Sequence, residues 1–240
     1  MAKCLRLAYS ERVMLSDHIL FIDGEAIVLD KPAGLPVDAP RDGATSLENH
    51  LQSLTFGFKR WPVAVHRLDR DTSGCLLLAR NPKAAGRFTR AFEDRSVAKS
   101  YLAIIAGVPA ETSGTIDLAL RKISSAERGW RMIGAAAGTR DAKPAVSHWQ
   151  LLASHKGRAL IRFRPETGRT HQLRVHAREG LGHAIVGDPV YGDGTGAPRT
   201  LLHAERIEMP REGKPPVLAC APFPSDFAAL GFAAPEPGNG

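Results

Sequence analysis

The stretch HRLDRDTSGCLLLA, residues 66–79, joins a densely charged segment directly to a continuous apolar run. A short apolar run such as Cys75–Ala79 predicts a buried β-strand. Asp69 and Asp71 would then lie on a loop that the core holds at one end, where functional residues are often found. Paired carboxylates can act as acid and base, or as nucleophile and partner, at a sugar carbon. The alternative for an isolated Asp-x-Asp is a solvated turn in which Asp71 caps backbone N–H groups.

Strand-like segments predominate on both sides of this stretch. Further strands are predicted within residues 18–37, 99–107, 145–154, 158–166, 183–192 and 201–210. Asn81 and Pro82 begin a helix, whereas the irregular, glycine-containing residues 117–142 predict a mobile loop and edge structure. Because strands and helices do not alternate regularly, the sequence predicts an α+β fold, with one domain and a mainly antiparallel sheet.

Charge and composition limit the classes of protein. The net charge of +7 suggests nucleic acid or another polyanion as partner, although many basic proteins bind neither. An aromatic content of 6% argues against rows of rings that stack on single strands. The three scattered cysteines suggest no disulfide framework and fit a reducing cytoplasm. The N-terminal 15 residues lack a signal peptide, and no apolar run could span a bilayer, so we expect a soluble protein.

A second charged constellation is ETGRTHQLRVHA, residues 166–177. Thr170 is a suitable N-cap for a short helix that ends near Gly180. Arg169 and Arg174 would then lie near the helix start, where cations oppose the macrodipole unless an anion, either a phosphate or a buried carboxylate, is close. Solvation of Arg169 is the alternative. The histidines of this segment lack the spacing of a helical zinc pair, so no metal site is predicted.

These motifs together resemble the RluA-type pseudouridine synthases. HRLDRDTSG matches the signature of that family, and the other motifs follow in the family's order: KPAGLPV (31–37), KSY (99–101), KPAV (143–146), GRTHQLRVH (168–176), GDPVYG (187–192) and LLHA (201–204). The resemblance implies a single α+β catalytic domain, built on a mixed, mainly antiparallel β-sheet with flanking helices and a central cleft. We expect this domain to cover residues 1–232, without an S4-type RNA-binding domain, and residues 233–240 to form a disordered tail.

The resemblance also implies a set of catalytic residues. Asp69 corresponds to the catalytic aspartate, and Tyr101 to the tyrosine that packs against the target uracil. Arg174 corresponds to the arginine that pairs with the aspartate, which would keep Asp69 ionised.

The expected substrate-binding residues surround these three. Arg67 corresponds to a residue that helps to expose the target base, and Leu173 to the apolar wall of the pocket. Lys31, His66 and Arg169 belong to the same motifs and are expected to bind substrate. One departure from the family is Asp38, which stands where many members carry a histidine.

The reaction implied is the isomerisation of uridine to pseudouridine in rRNA or tRNA. It breaks the N1–C1′ bond, turns the uracil and joins C5 to C1′, so no cofactor and no metal are expected. The aspartate could attack C1′, attack the base or remove the C2′ proton, and the sequence leaves all three routes open. We expect a cytoplasmic monomer that binds structured RNA and no membrane. The basic residues Arg121, Lys122, Arg128 and Arg131 are expected to touch the phosphate backbone.

The sequence is also compatible with two rival functions. An RNA-binding protein without catalysis would use the same scaffold, but it predicts damage at the catalytic positions, which are intact. A glycosidase-like hydrolase would need Asp69 and Asp71 as acid and base, together with a path for water.

Overall fold

The computed structural model describes residues 14–40, 43, 45–125, 127 and 129–236. The expected absence of a signal peptide concerns residues that lie almost entirely outside this range. Arg128 and residues 237–240 of the expected tail also lie outside it. Within the described range, no helix combines the length and the apolar character that crossing a membrane requires.

Twelve strands and a few short helices make up the described chain. The strands are β1 (Ile19–Ile22), β2 (Ala26–Lys31), β3 (Val63–Ala64), β4 (Ser73–Ala79), β5 (Ala98–Ile105), β6 (Ser113–Asp117), β7 (Ala119–Ser125), β8 (Gly129–Ala135), β9 (Val146–His155), β10 (Arg158–Pro165), β11 (Leu202–Arg211) and β12 (Lys214–Cys220). The α-helices are α1 (Pro82–Glu93), α2 (Gln172–Val175) and α3 (Ser225–Ala229), with 3-10 helices at Leu15–His18 and Leu47–Leu54 and a π-helical turn at His176–Gly180.

Ten strands form one sheet in the order β1-β2-β4-β11-β5-β10-β9-β6, while β12 pairs with β11 and β3 with β4. The pairing of β4 with β11 is parallel, and the other pairings in this sheet are antiparallel. The predicted α+β fold with a mixed, mainly antiparallel sheet is therefore confirmed.

Strand β4 lies inside this sheet, as its apolar run predicts. Every residue from Cys75 to Ala79 is at most 1% exposed. At the start of the strand, Gly74 has φ +100°, and a Cβ there would overlap the carbonyl oxygen of Ala204 in β11. Only glycine allows the two strands to approach this closely. The loop that carries Asp69 therefore runs directly into the centre of the sheet.

Residues 117–142 differ from the expected mobile loop, because most of them form the two-stranded sheet β7–β8. The strands pair from Ala119↔Ala135 to Ser125↔Gly129. Leu120 is fully buried, whereas most other positions are at least partly exposed. A hairpin with so little apolar alternation gives a weak strand pattern, which explains why the sequence did not reveal it.

Candidate active site

The loop that carries Asp69 is fastened to the KPAGLPV loop by one backbone–backbone hydrogen bond and by side chains that donate to backbone carbonyls. The Gly34 amide donates to the Arg70 carbonyl at 2.9 Å, and Arg70 Nε donates back to the Gly34 carbonyl at 3.1 Å. Lys31 Nζ donates to the carbonyls of Pro32, Leu35 and Arg70 at 2.8–3.1 Å. The two loops therefore form one rigid unit at the end of strands β2 and β4.

Lys31 thus lies beneath the site and not in it. Its side chain is fully buried, and burial, opposed by nearby carboxylates such as Asp71, lowers the pKa of the amine to about 7. A group that is closed off from solvent and bonded to three carbonyls has no donor left for RNA. The expected substrate contact of Lys31 therefore does not fit the structure, and its geometry is that of a positioning residue.

Asp69 meets Arg174 across the cleft, as the resemblance implies. Arg174 Nη1 donates to Asp69 Oδ2 at 3.2 Å, and His171 Nε2 lies 3.9 Å from the same oxygen. The Asp69 side chain is 26% exposed, so one side of the carboxylate faces the cavity. The short helix α2 supplies Arg174, and the charged loop before β4 supplies Asp69.

Asp188 holds Arg174 from the other side, a contact that the sequence analysis missed. Arg174 Nε and Nη2 donate to the two Asp188 carboxylate oxygens at 2.7 and 2.8 Å. Burial alone would raise the pKa of the fully buried Asp188, but its hydrogen bonds with Arg174 lower it overall. Burial likewise opposes the charge of Arg174, whose pKa is nevertheless raised by Asp188 and Asp69. The guanidinium is therefore a fixed cation between two carboxylates.

A cavity of about 130 Å³ opens beside Asp69. Tyr101 from β5, Leu173 from α2 and Leu202 from β11 line it, together with Arg67 and Arg169. Burial, and then the charge of Asp69, raise the pKa of the Tyr101 hydroxyl, so the ring stays neutral. A flat aromatic ring, an apolar wall and a carboxylate thus converge on one pocket of the kind that holds a planar base.

His171 and Tyr191 close one side of this pocket. His171 adopts left-handed backbone angles (φ +54°) and occupies the cap position before α2, where Thr170 was expected. Its Nδ1 lies 2.8 Å from the Tyr191 hydroxyl, and its ring stacks on Trp130 of β8 with centroids 5.1 Å apart. Burial lowers the pKa of His171 more than Asp69 raises it. The β7–β8 hairpin therefore reaches the edge of the site.

His66 is mainly a structural residue. Its Nε2 accepts the Leu77 amide at 2.9 Å, and its ring stacks on Phe92 with centroids 4.5 Å apart. Burial, and then the charge of Lys99, lower its pKa to about 3, so the imidazole is neutral. His66 borders a cleft next to the cavity, but its acceptor nitrogen is already used by the protein.

Arg67 and Arg169 lie at the mouth of the cavity. Arg67 forms an exposed ion pair with Asp38 at 3.0 Å, so the residue that departs from the family pattern contacts the arginine expected to expose the base. Arg169 Nε donates to the Pro144 carbonyl at 3.0 Å. No cluster of possible metal ligands occurs among the residues that the structure describes.

Comparison with known proteins supports the family that the sequence motifs resemble. A family model described as RNA pseudouridylate synthase matches residues 25–179. An uncharacterized RNA pseudouridine synthase of Zymomonas mobilis is 58% identical, over 91% of this chain and 99% of its own length. The ribosomal large subunit pseudouridine synthase D of Nitrosomonas europaea is 35% identical, over 88% of this chain but 63% of its own length.

Two solved human structures share the fold. RNA pseudouridylate synthase domain containing 4 superposes with a TM-score of 0.77 and 26% identity, covering 92% of this chain and 96% of its own. RNA pseudouridylate synthase domain containing 1 does so with a TM-score of 0.71 and 31% identity, covering 86% and 83%. The chain belongs to the RNA pseudouridylate synthase family, within its RluA-type group, and is an isomerase that acts on RNA.

Proposed function

We propose that Asp69 is the catalytic carboxylate and that the enzyme isomerises specific uridines in structured rRNA or tRNA. The observation that carries the proposal is the position of Asp69. Its carboxylate borders the same cavity as Tyr101 and Leu173, and Arg174 anchors it through one oxygen. A uracil ring stacked on Tyr101 would place the glycosidic bond beside this carboxylate.

The side chains divide the reaction between them. Isomerisation breaks N1–C1′, forms C5–C1′ and moves the hydrogen of C5 to N1, so all atoms of the substrate are conserved. Arg174 holds the Asp69 carboxylate in position through a hydrogen bond, and a carboxylate can attack or accept a proton at the reacting centre. Tyr101 and Leu173 would hold the planar base while it turns.

RNA is expected to lie across the face that carries the cavity. Arg121, Lys122 and Arg131 extend from the β7–β8 hairpin, and Lys122 Nζ lies 5.0 Å from the centre of the Trp130 ring. Cations on a two-stranded arm beside the pocket can contact phosphate groups, which position RNA without reading its sequence. We further propose that a single chain is sufficient for binding, since Asp69, Tyr101 and Arg174 line one cavity of the same chain.

Among RNA classes we favour rRNA as the substrate. Several relatives that are 34–35% identical are named as ribosomal large subunit pseudouridine synthases, from Nitrosomonas europaea, Zymomonas mobilis and Rickettsia prowazekii. The name of the 58% identical relative specifies no RNA. The preference for rRNA therefore rests on the more distant relatives.

Pseudouridine mapping in a strain that lacks the gene tests the proposal. Total RNA from this strain is compared with RNA from the parent and from strains complemented with the wild type, Asp69→Ala or Asp141→Ala. Asp141 is a suitable control because its carboxylate is 88% exposed on a turn outside the cavity. We expect one or more sites to be lost, to return with the wild type and Asp141→Ala, and to stay absent with Asp69→Ala. Restoration by Asp69→Ala would refute the catalytic role, and identical profiles in all strains would favour an RNA-binding protein without catalysis.

A further inference from the structure

A second cleft adjoins the proposed uracil pocket and has a different character. This side cleft encloses about 320 Å³ between the end of α1, the start of β5 and the turn before α2. It is lined by Phe92, Glu93, Arg95, Lys99, Gly168 and Arg169, among others. Lys99, Tyr101 and Arg169 border both cavities, so the side cleft opens directly beside the position proposed for the target base.

The side cleft has an excess of positive charge. Arg95, Lys99 and Arg169 face one carboxylate in its lining, that of Glu93. Within the described residues, none of these three cations lies within ion-pair distance of a carboxylate, and the guanidinium of Arg169 donates to the Pro144 carbonyl. A partly enclosed site with several cations and few anions favours an anionic ligand.

Lys99 is the most unusual of the three cations. Its amine lies 5.8 Å from the centre of the Phe92 ring, and burial lowers its pKa. A half-buried ammonium group without an anionic partner is unfavourable, and a bound anion would relieve this cost. Lys99 and Tyr101 are two residues apart on β5, so both side chains project from the same face of the strand. An anion at Lys99 would therefore lie next to a base at Tyr101.

We propose that the side cleft is a phosphate subsite, in which Lys99, assisted by Arg95 and Arg169, binds the RNA phosphate adjacent to the target uridine. This inference rests on the proposed function, because it requires that the uridine enters the pocket of Tyr101. A base in that pocket remains joined to the RNA backbone, and the side cleft is the basic opening beside it. A phosphate contact fixes the position of the nucleotide without reading its base. Lys99 is then a binding residue, distinct from the carboxylate that carries the chemistry.

Replacement of Lys99 by methionine tests the subsite. Lys99→Met removes the charge but keeps an apolar stem against Phe92, and Lys83→Met makes the same change on the exposed surface at the other end of α1. Single-turnover pseudouridine formation is measured at the mapped site, in RNA from the strain that lacks the gene. For Lys99→Met we expect the half-saturating enzyme concentration to rise about tenfold, as expected for a lost charged contact, with the maximal rate unchanged. Lys83→Met should match the wild type in both values.

Salt dependence and a modified substrate separate the phosphate contact from a general loss of structure. The slope of log affinity against log salt should become shallower by about 0.7–0.9 for Lys99→Met, as for one lost phosphate contact. In a short RNA, a neutral methylphosphonate beside the target uridine should weaken binding to the wild type and leave binding to Lys99→Met nearly unchanged. An unchanged salt slope, equal methylphosphonate effects in both proteins, or a lower maximal rate at unchanged half-saturation would each overturn the proposal.

Failure of the proposed function would look different. The wild type would then form no pseudouridine in any RNA from the strain that lacks the gene. Filter binding of the same RNA would still compare the salt slopes of Lys99→Met and Lys83→Met. A slope that differs only for Lys99→Met would keep the phosphate subsite, and equal slopes would remove it.

Discussion

Replacement of Arg174 by methionine would leave two carboxylates without their common partner. Leaving Asp188 without its partner lowers stability more than leaving Asp69 without one. The side chain of Asp188 is fully buried, and both of its oxygens accept from Arg174, at 2.7 and 2.8 Å. Breaking a buried ion pair from one side destabilises a protein by about 3–5 kcal/mol. The Asp69 side chain is 26% exposed and accepts one hydrogen bond of 3.2 Å from Arg174. Loss of this ion pair should therefore add at most about 1 kcal/mol to the destabilisation. In a chain of this length, thermal denaturation should show Tm lower by roughly 10 °C.

A second substitution distinguishes the ion pair from simple loss of packing. In the double variant Arg174→Met/Asp188→Asn, the buried charge is gone, while the introduced asparagine side chain can still accept the backbone amides of Val190 and Tyr191. We expect the double variant to regain at least about 2 kcal/mol of unfolding free energy relative to Arg174→Met. Pseudouridine formation should stay impaired in both, since Asp69 has lost its cation. A double variant no more stable than Arg174→Met would show that the unpaired Asp188 is not the source of the instability, and an active Arg174→Met would show that Asp69 does not need this cation.

Three further predictions concern residues around the site. The amine of Lys31 loses its proton near pH 7 in the folded protein but near pH 10.5 in the unfolded chain. Between these pH values unfolding takes up a proton, so the free energy of unfolding rises with pH. Urea titrations should therefore show wild type gaining stability relative to Lys31→Met between pH 7 and 10, by up to about 4 kcal/mol; parallel pH curves would contradict this. Gly74→Ala should destabilise the fold by at least about 2 kcal/mol through its overlap with β11, whereas Gly86→Ala, with open space in α1, should stabilise it by about 0.5–1 kcal/mol. Equal Tm shifts of the same sign would argue against the close approach. Tyr191→Phe removes the hydroxyl that accepts a hydrogen bond from the Met132 amide at 3.1 Å. Hydrogen exchange of that amide should therefore accelerate about tenfold. Unchanged protection of the amide would show that the hairpin is held by other contacts.

The sequence predicts most reliably where a pattern has one physical explanation. The short, continuous apolar run before Arg80 is typical of a strand covered on both faces, and β4 is such a strand. Asp69 and Arg174 are 105 residues apart, so no local pattern could predict that they pair. The family resemblance implied this contact. Family motifs thus supplied the long-range contact that periodicity cannot supply.

The missed and misplaced residues have physical causes as well. Asp188 lies within residues 183–192, which were predicted to contain a strand but form mainly turns around one isolated bridge between Ile185 and Ile105. Its buried contact with Arg174 cannot be deduced without the fold. Lys31 and His66 belong to the motifs of the site, but a motif does not state where a side chain points. Both are bonded to protein groups beneath or beside the cavity.

Single-turnover conversion by purified protein tests most directly whether the carboxylate of Asp69 performs the chemistry. Wild type, Asp69→Asn and Asp141→Asn are incubated with RNA from the strain that lacks the gene, and both pseudouridine formation and RNA binding are measured. An asparagine in place of Asp69 is nearly isosteric and can still accept a hydrogen bond from Arg174, so the fold and the pocket should persist. We predict that Asp69→Asn binds RNA but forms pseudouridine at least about 10³-fold more slowly, while Asp141→Asn matches the wild type. Conversion by Asp69→Asn at a rate near that of the wild type would rule out Asp69 as the catalytic carboxylate.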